Sequence, residues 1–262
     1  MMRTGLAVVG AALLLFMGAV LTLGPFGDPE ERSTEVTGIS RVEISGASGN
    51  VQVRYRPGDT GVVHEKVSRN RWWSHDSQVH HRVENGTLVL DANCGWRCQV
   101  DYEVTLPAEV PVTGDLGSGD LRVSGMRSVQ ADVKSGSVEL EDISGRVEVR
   151  ASSGDIRLAD VQGDVVVRTG SGEISGSDLR GRQLTAESGS GDVELAASEA
   201  ESVRVETGSG DIELTVPPGA YAVKSRTGSG EEEIEVPVDP NARQELLLST
   251  GSGSIRVDNW ED

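Results

Sequence analysis

The chain has 262 residues, with 42 acidic side chains against 24 basic ones and a formal net charge of −18. That balance argues against nucleic acid and anionic lipid as partners of its surface, since both would be repelled. Aromatic residues make up only 3% of the chain while 33 residues are glycine, which excludes a core filled with rings and points to thin layers joined by tight turns.

Residues Gly5 to Gly27 run 23 positions without a charge. This is long enough to cross a bilayer and longer than a signal-peptide core. Arg3 precedes the run, and Asp28, Glu30 and Glu31 come after it, so the amino terminus is expected in the cytoplasm and the rest of the chain outside. No Ala-x-Ala cleavage site and no lipid-bearing cysteine is evident, which favours a retained anchor over a cleaved signal. The expectation is one transmembrane helix over residues 5–24 within a segment 1–27, then a polar stalk over 28–37.

From Gly38 the pattern is β. Val42–Ile44 and Val51–Val53 alternate, Arg56-Pro57-Gly58-Asp59 reads as a turn, and Asn85-Gly86 reads as a hairpin turn between Val79–Val83 and Leu88–Leu90. Residues 38–111 are expected to cap the open amino-terminal end of a repeat region over residues 112–262. Cys94 and Cys98 are the only cysteines; outside the cell they are expected to form a disulfide closing a small loop, and no further ligand stands close enough for a metal. All four histidines (His64, His75, His80 and His81) fall between residues 64 and 81, together with Trp72 and Trp73. His80 and His81 would point to opposite faces of a strand, so a plain hairpin is preferred to a metal site. Packing against the first coil is the bland use of the paired tryptophans; contact with a glycan or protein partner is the functional one.

Residues 112–262 repeat one phrase. Ser-Gly-x-aliphatic-x-aliphatic, with local variants, begins at Ser118, Ser135, Ser153, Ser171, Ser190, Ser209, Ser229 and Ser252, at spacings of 17, 18, 18, 19, 19, 20 and 23. A period near 20 marks a solenoid in which each unit stacks on the last. Each unit holds two short strands. In one, Ile156 and Leu158 share a face opposite Arg157, and Val165, Val167 and Thr169 share a face opposite Arg168. The equivalent positions give two facing aliphatic ladders, among them Val138/Leu140, Val193/Leu195, Ile212/Leu214 and Ile255/Val257 on one side. Val129/Ala131/Val133, Val203/Val205/Thr207, Val223/Ser225/Thr227 and Leu246/Leu248/Thr250 stand on the other. The expected fold is an all-β, single-stranded parallel solenoid of about eight coils, right-handed by the general rule for parallel crossovers.

An apolar N-terminal run, an early Ser48-Gly49-Asn50-Val51-Gln52-Val53 pair, the stretch Val100-Asp101-Tyr102-Glu103-Val104-Thr105-Leu106-Pro107-Ala108 and the tandem units together resemble a bacterial family of β-strand-repeat domains of unknown function that bears the name "putative adhesin". The resemblance covers roughly residues 38–257. It implies an all-β solenoid on an exported protein, brings no catalytic residue, and includes relatives tied to envelope-stress responses.

The residue after each Ser-Gly is Asp120, Ser137, Asp155, Glu173, Asp192, Asp211, Glu231 or Ser254. Stacked ~4.8 Å apart these form an acidic column. Calcium is one reading, but one carboxylate per coil falls short of the six to eight oxygens that ion takes; a solvated corner bonded to turn amides is preferred. A glycosidase pair would need two unlike environments and a cleft, which a repeated corner lacks. Arg150, Arg168, Glu187, Glu206 and Arg226 form an outward column, with Arg168–Glu187 and Glu206–Arg226 as expected ion pairs. No cofactor is expected. The functional expectation is a non-catalytic, membrane-anchored extracytoplasmic solenoid acting as an adhesin or surface-interaction protein, with a surface glycan or envelope protein as partner. A sensor or regulatory component of the envelope-stress response is the alternative, and an exported polysaccharide-active enzyme the third.

Overall fold

The computed structural model describes residues 30–69, 80–93 and 98–260. The expected membrane span over 5–24, Trp72, Trp73 and Cys94 lie outside these residues. No helix among the described residues is long and apolar enough to cross a membrane.

Two β-sheets face each other. Sheet I contains β2 (Arg41–Ser48), β5 (His80–Glu84), β6 (Thr87–Asp91), β8 (Pro111–Ser118), β10 (Ser128–Ser135) and β12 (Val147–Ser153), followed by β14 (Val165–Thr169), β16 (Gln183–Ser188), β18 (Ser202–Thr207), β20 (Ala222–Thr227) and β22 (Glu245–Thr250). Sheet II contains β1 (Glu30–Val36), β3 (Val51–Tyr55), β4 (Gly61–Arg69), β7 (Cys98–Leu106), β9 (Leu121–Met126) and β11 (Val138–Ile143), then β13 (Ile156–Val161), β15 (Ile174–Leu179), β17 (Val193–Ala197), β19 (Ile212–Val216), β21 (Glu232–Ile234) and β23 (Ile255–Asn259). One strand of sheet I and the next of sheet II make one coil, and like strands of successive coils pair in parallel through the body of the rod.

The aliphatic ladders are inside as the alternation requires. Ile156, Val167, Val193, Val205 and Ile212 are all at most 1% exposed, and the core is continuous from Val36 to Val257. Residues 38–111 feed strands into both sheets and into that same core.

Three expectations need correction. The sheets are mixed rather than wholly parallel: β1–β4, β4–β7 and β5–β6 are antiparallel pairs added at the amino-terminal end. The tight Asn85-Gly86 turn, with φ of 50° and 80°, forces antiparallel return, because only a crossover of a dozen or more residues lets strands run parallel. The supposed stalk is strand β1 from Glu30 onward, paired along its length with β4; its polarity reflects an edge strand with one exposed flank. Finally, the coils do not stack in chain order. The order at the far end is β18-β22-β20 in sheet I and β19-β23-β21 in sheet II, so the last coil of the sequence is inserted between the two before it. At the near end, coil β2/β3 lies between β6/β7 and β8/β9.

The corner glycines are required by close packing. Gly191 has φ of 140°, and a Cβ there would lie 2.1 Å from the carbonyl oxygen of Gly172 in the neighbouring coil. Any side chain would force the coils apart. Gly170, Gly189 and Gly208 lack positive φ, and only the neighbouring carbonyls, about 2.5 Å from a Cβ, exclude a side chain.

Candidate functional site

The corner acids are engaged with the backbone. The Asp120, Asp155, Asp192 and Asp211 carboxylates accept from the amides of Ser137, Glu173, Asp211 and Ser254, one coil on, at 3.0, 3.1, 2.8 and 2.7 Å. Asn50 does the same for Asp120, and Asp101 for Asn50. The shorter Ser254 hydroxyl accepts from the Glu231 amide only at 3.5 Å, and the longer Glu173 makes no such bond to Asp192. Each bridge ties two coils and satisfies a turn amide that the strands leave unpaired. Among the described residues no group of three or more His, Cys, Asp or Glu side chains is arranged to hold a metal.

A second corner carries Asp142, Asp160 and Asp178 in left-handed conformation, φ 51–54°, in line with Gly125 at 65°. Aspartate tolerates this geometry where most residues do not. Asp178 is held by two bonds from Arg180 and one from Ser198, and the Arg180 guanidinium keeps its carboxyl below the usual range. The register slips between β15 and β17, where this corner ends.

Inside, a column of hydroxyls replaces aliphatic residues in the carboxy-terminal half. Thr169, Ser188, Thr207 and Thr250 are 3–6% exposed, and each donates to a glycine carbonyl of the adjacent coil, Gly154, Gly172, Gly191 and Gly210, at 2.9–3.1 Å. Buried hydroxyls are thereby satisfied.

A groove of about 1040 Å³ runs along the outer side of sheet I, reaching from Gly46 to Ser249. Most coils contribute an outward side chain and, two residues on, a small residue such as Gly117, Ser152, Gly170, Gly189 or Gly208, whereas the coil of Asp132 places Lys134 there. The outward row is Asp115, Asp132, Arg150, Arg168, Glu187, Glu206, Ser249 in register. Charge therefore runs negative, positive, negative along it. Arg168 grips Glu187 at 2.7 and 3.2 Å as the sequence predicts, and that bond raises the arginine's pKa. The predicted Glu206–Arg226 pair does not form: β22 intervenes, Ser249 stands between them, and Glu206 bonds Arg204 instead.

At the amino-terminal end Glu65 occupies an inward ladder position on β4 and is 3% exposed. It accepts from the backbone amide of His81 at 3.1 Å and contacts His81 Nδ1. Tyr102 lies opposite Glu65 and donates to the Asp91 carbonyl at 2.8 Å; burial first, then the Glu65 and Asp91 carboxylates, push its hydroxyl up. Alternation separates His80 from His81, but it does not reveal the inward glutamate that claims His81; a lone charge at an aliphatic rung is the signal that could have found it. His64 is exposed on β4. Cys98 opens β7 and is not a free thiol.

A family model described as Toastrack DUF4097 matches residues 33–164 and again residues 160–259. No curated protein matches the chain. Among solved structures, a "putative adhesin" from Parabacteroides distasonis has a TM-score of 0.53 at 11% identity, covering 89% of this chain and 98% of that one. A "putative adhesin" from Bacteroides fragilis has a TM-score of 0.49 at 14% identity, covering 91% and 100%. At such identity the first of these speaks to the fold. The two consecutive family matches span nearly the whole of the described rod, and the chain belongs to the Toastrack (DUF4097) family.

Proposed function

We propose that this is a non-catalytic surface-interaction protein of the adhesin kind, anchored in the membrane by residues 5–24 with its β rod outside the cytoplasm. The observation that carries the reading is the groove on sheet I. Eight coils at ~4.8 Å give it a length of roughly 34 Å, with a small-residue margin over which an extended polymer could approach the backbone. Its charged row supplies separate acidic and basic stations for polar recognition, and its rigidity comes from the Asp-to-amide bridges on the corner that borders it. A polysaccharide strand or an extended segment of an envelope protein fits that shape. The paired Trp72 and Trp73 add a second candidate contact, and a Cys94–Cys98 disulfide suits the compartment.

A glycan array and a pull-down from envelope extract, each with the full-length protein and with an Arg150→Ala/Arg168→Ala variant, test the reading. Retention of one glycan class or one envelope protein, weakened about tenfold or more in the variant, is the expected outcome, because two charge-assisted contacts are lost. Binding unchanged in the variant would remove the groove from the site. Capture of a regulatory envelope protein rather than a glycan would favour the stress-sensor reading. Protease added to intact cells should digest the rod, and protection would overturn the topology.

A further inference from the structure

The point at which the chain enters the rod fixes which end meets the membrane. β1 is the outermost strand of sheet II, paired only with β4, and its first residue Glu30 lies opposite Val67. The anchor ends at residue 24, so the link to Glu30 spans at most ~20 Å even fully extended. The opposite end of sheet II is eleven strand spacings away, roughly 50 Å at ~4.8 Å each.

Charge argues against the other orientations. On the outer side of sheet II, Glu194 and Glu213 stand in register beside the corner acids Asp192 and Asp211, which anionic headgroups repel. The far tip carries Glu231, Glu232, Glu233 and Glu235. The near end carries acids of its own, Glu30, Glu31 and Glu35 on β1 and Glu84 on β5, but its outermost sheet I strand also exposes an apolar side chain, Val83, which is 45% exposed.

We propose that the rod stands end-on on the bilayer, with the β1/β5 end towards the lipid headgroups on a link much shorter than the rod. The groove then runs away from the membrane, and the acidic tip is displayed roughly 50 Å out. This rests on the reading that residues 5–24 anchor the chain.

The test is energy transfer from a thiol-attached donor on the full-length protein to an acceptor dye on the headgroups of phosphatidylcholine vesicles containing some phosphatidylglycerol. Three single substitutions at exposed positions carry the donor: Ser33→Cys on β1, Glu194→Cys on β17 and Arg226→Cys on β20. Transfer should be strongest from position 33, intermediate from 194, and roughly threefold or more weaker from 226, given ~50 Å of separation. Equal transfer from all three sites on protein that floats with the vesicles keeps the anchor and overturns the end-on stance. A reversed order overturns it too, placing the tip at the membrane. Protein that fails to float with the vesicles overturns the anchor itself, and the proposal with it.

Discussion

Each end of the rod is closed by a glutamate pointing inward from sheet II to sheet I, but the two stand in unlike surroundings. At the amino-terminal end Glu65 of β4 is almost fully buried and bonded to His81 of β5, with β1 paired outside its own strand. At the far end Glu232 is exposed and accepts from the Thr227 amide at 3.1 Å and from the Ser225 hydroxyl. A solenoid must end in a layer that does not invite another strand, and an inward charge does this. Where extra strands cover it, the charge must be partnered; where water reaches it, no further partner is required. The same residue type is thus a buried obligation at one end and a solvated stopper at the other.

Breaking the near-end closure should have the largest effect. His81→Ala leaves the Glu65 carboxylate buried without its imidazole partner, and should lower unfolding stability by about 3–5 kcal/mol. The double variant Glu65→Leu/His81→Leu should recover most of that loss in a urea titration, since an apolar pair of similar volume carries no uncompensated charge. A double variant as unstable as the single one would mean that His81 matters through packing alone.

Mid-rod bridges give the intermediate scale. Asp192→Ala removes the acceptor of the Asp211 amide and should cost about 1 kcal/mol, whereas Glu173→Ala, which breaks no bridge to the next coil, should leave the melting curve within error. Equal losses for both would show that charge, not the amide bond, governs the column.

Glu232→Val at the far end should change stability little, by about 1 kcal/mol or less in either direction. Its expected signature is association: with the stopper gone, an apolar inward position and the free edges of β20 and β21 face outward. Analytical ultracentrifugation should show concentration-dependent oligomers that the wild type lacks.

The smallest effect is in pH dependence at the same end. Glu235 is hydrogen-bonded to Asp258, and that bond, then the Asp258 and Glu233 charges, hold its pKa above the usual range. A raised folded value means that the contribution is complete below the unfolded value near ~4.3 and is lost as pH rises through the folded one. Glu235→Gln should therefore be slightly more stable than wild type at neutral pH, with the difference closing on acidification. Asp178 runs the other way. Its lowered value gives a contribution that is full above ~4 and lost below it, so Asp178→Asn should flatten the acid limb of stability.

The ladders, the corner serines and the Arg168–Glu187 pair arise from period-two alternation and a repeat of about 20, so sequence alone placed them. The stacking order did not emerge, because the repeats are interchangeable in register: Val223/Ser225/Thr227 and Leu246/Leu248/Thr250 occupy the same rungs. What separates them is polarity. Ser225 and Glu232 at inward rungs suit a terminal layer, while Leu246 and Leu248 are 1% and 2% exposed in the interior. By that measure the outermost coil was visible as the most polar one rather than the last one. The groove was not legible, because it arises from corner residues too small to fill the space beside a charged row. Nor was the Glu65–His81 contact, which joins strands of different sheets.

The inserted final coil also bears on how the protein is made. Residues 245–259 form the layer between β18/β19 and β20/β21, yet they leave the ribosome after both. The tip cannot close until this segment has been translated, so a chain cut short before residue 245 retains a missing rung rather than a merely shorter rod.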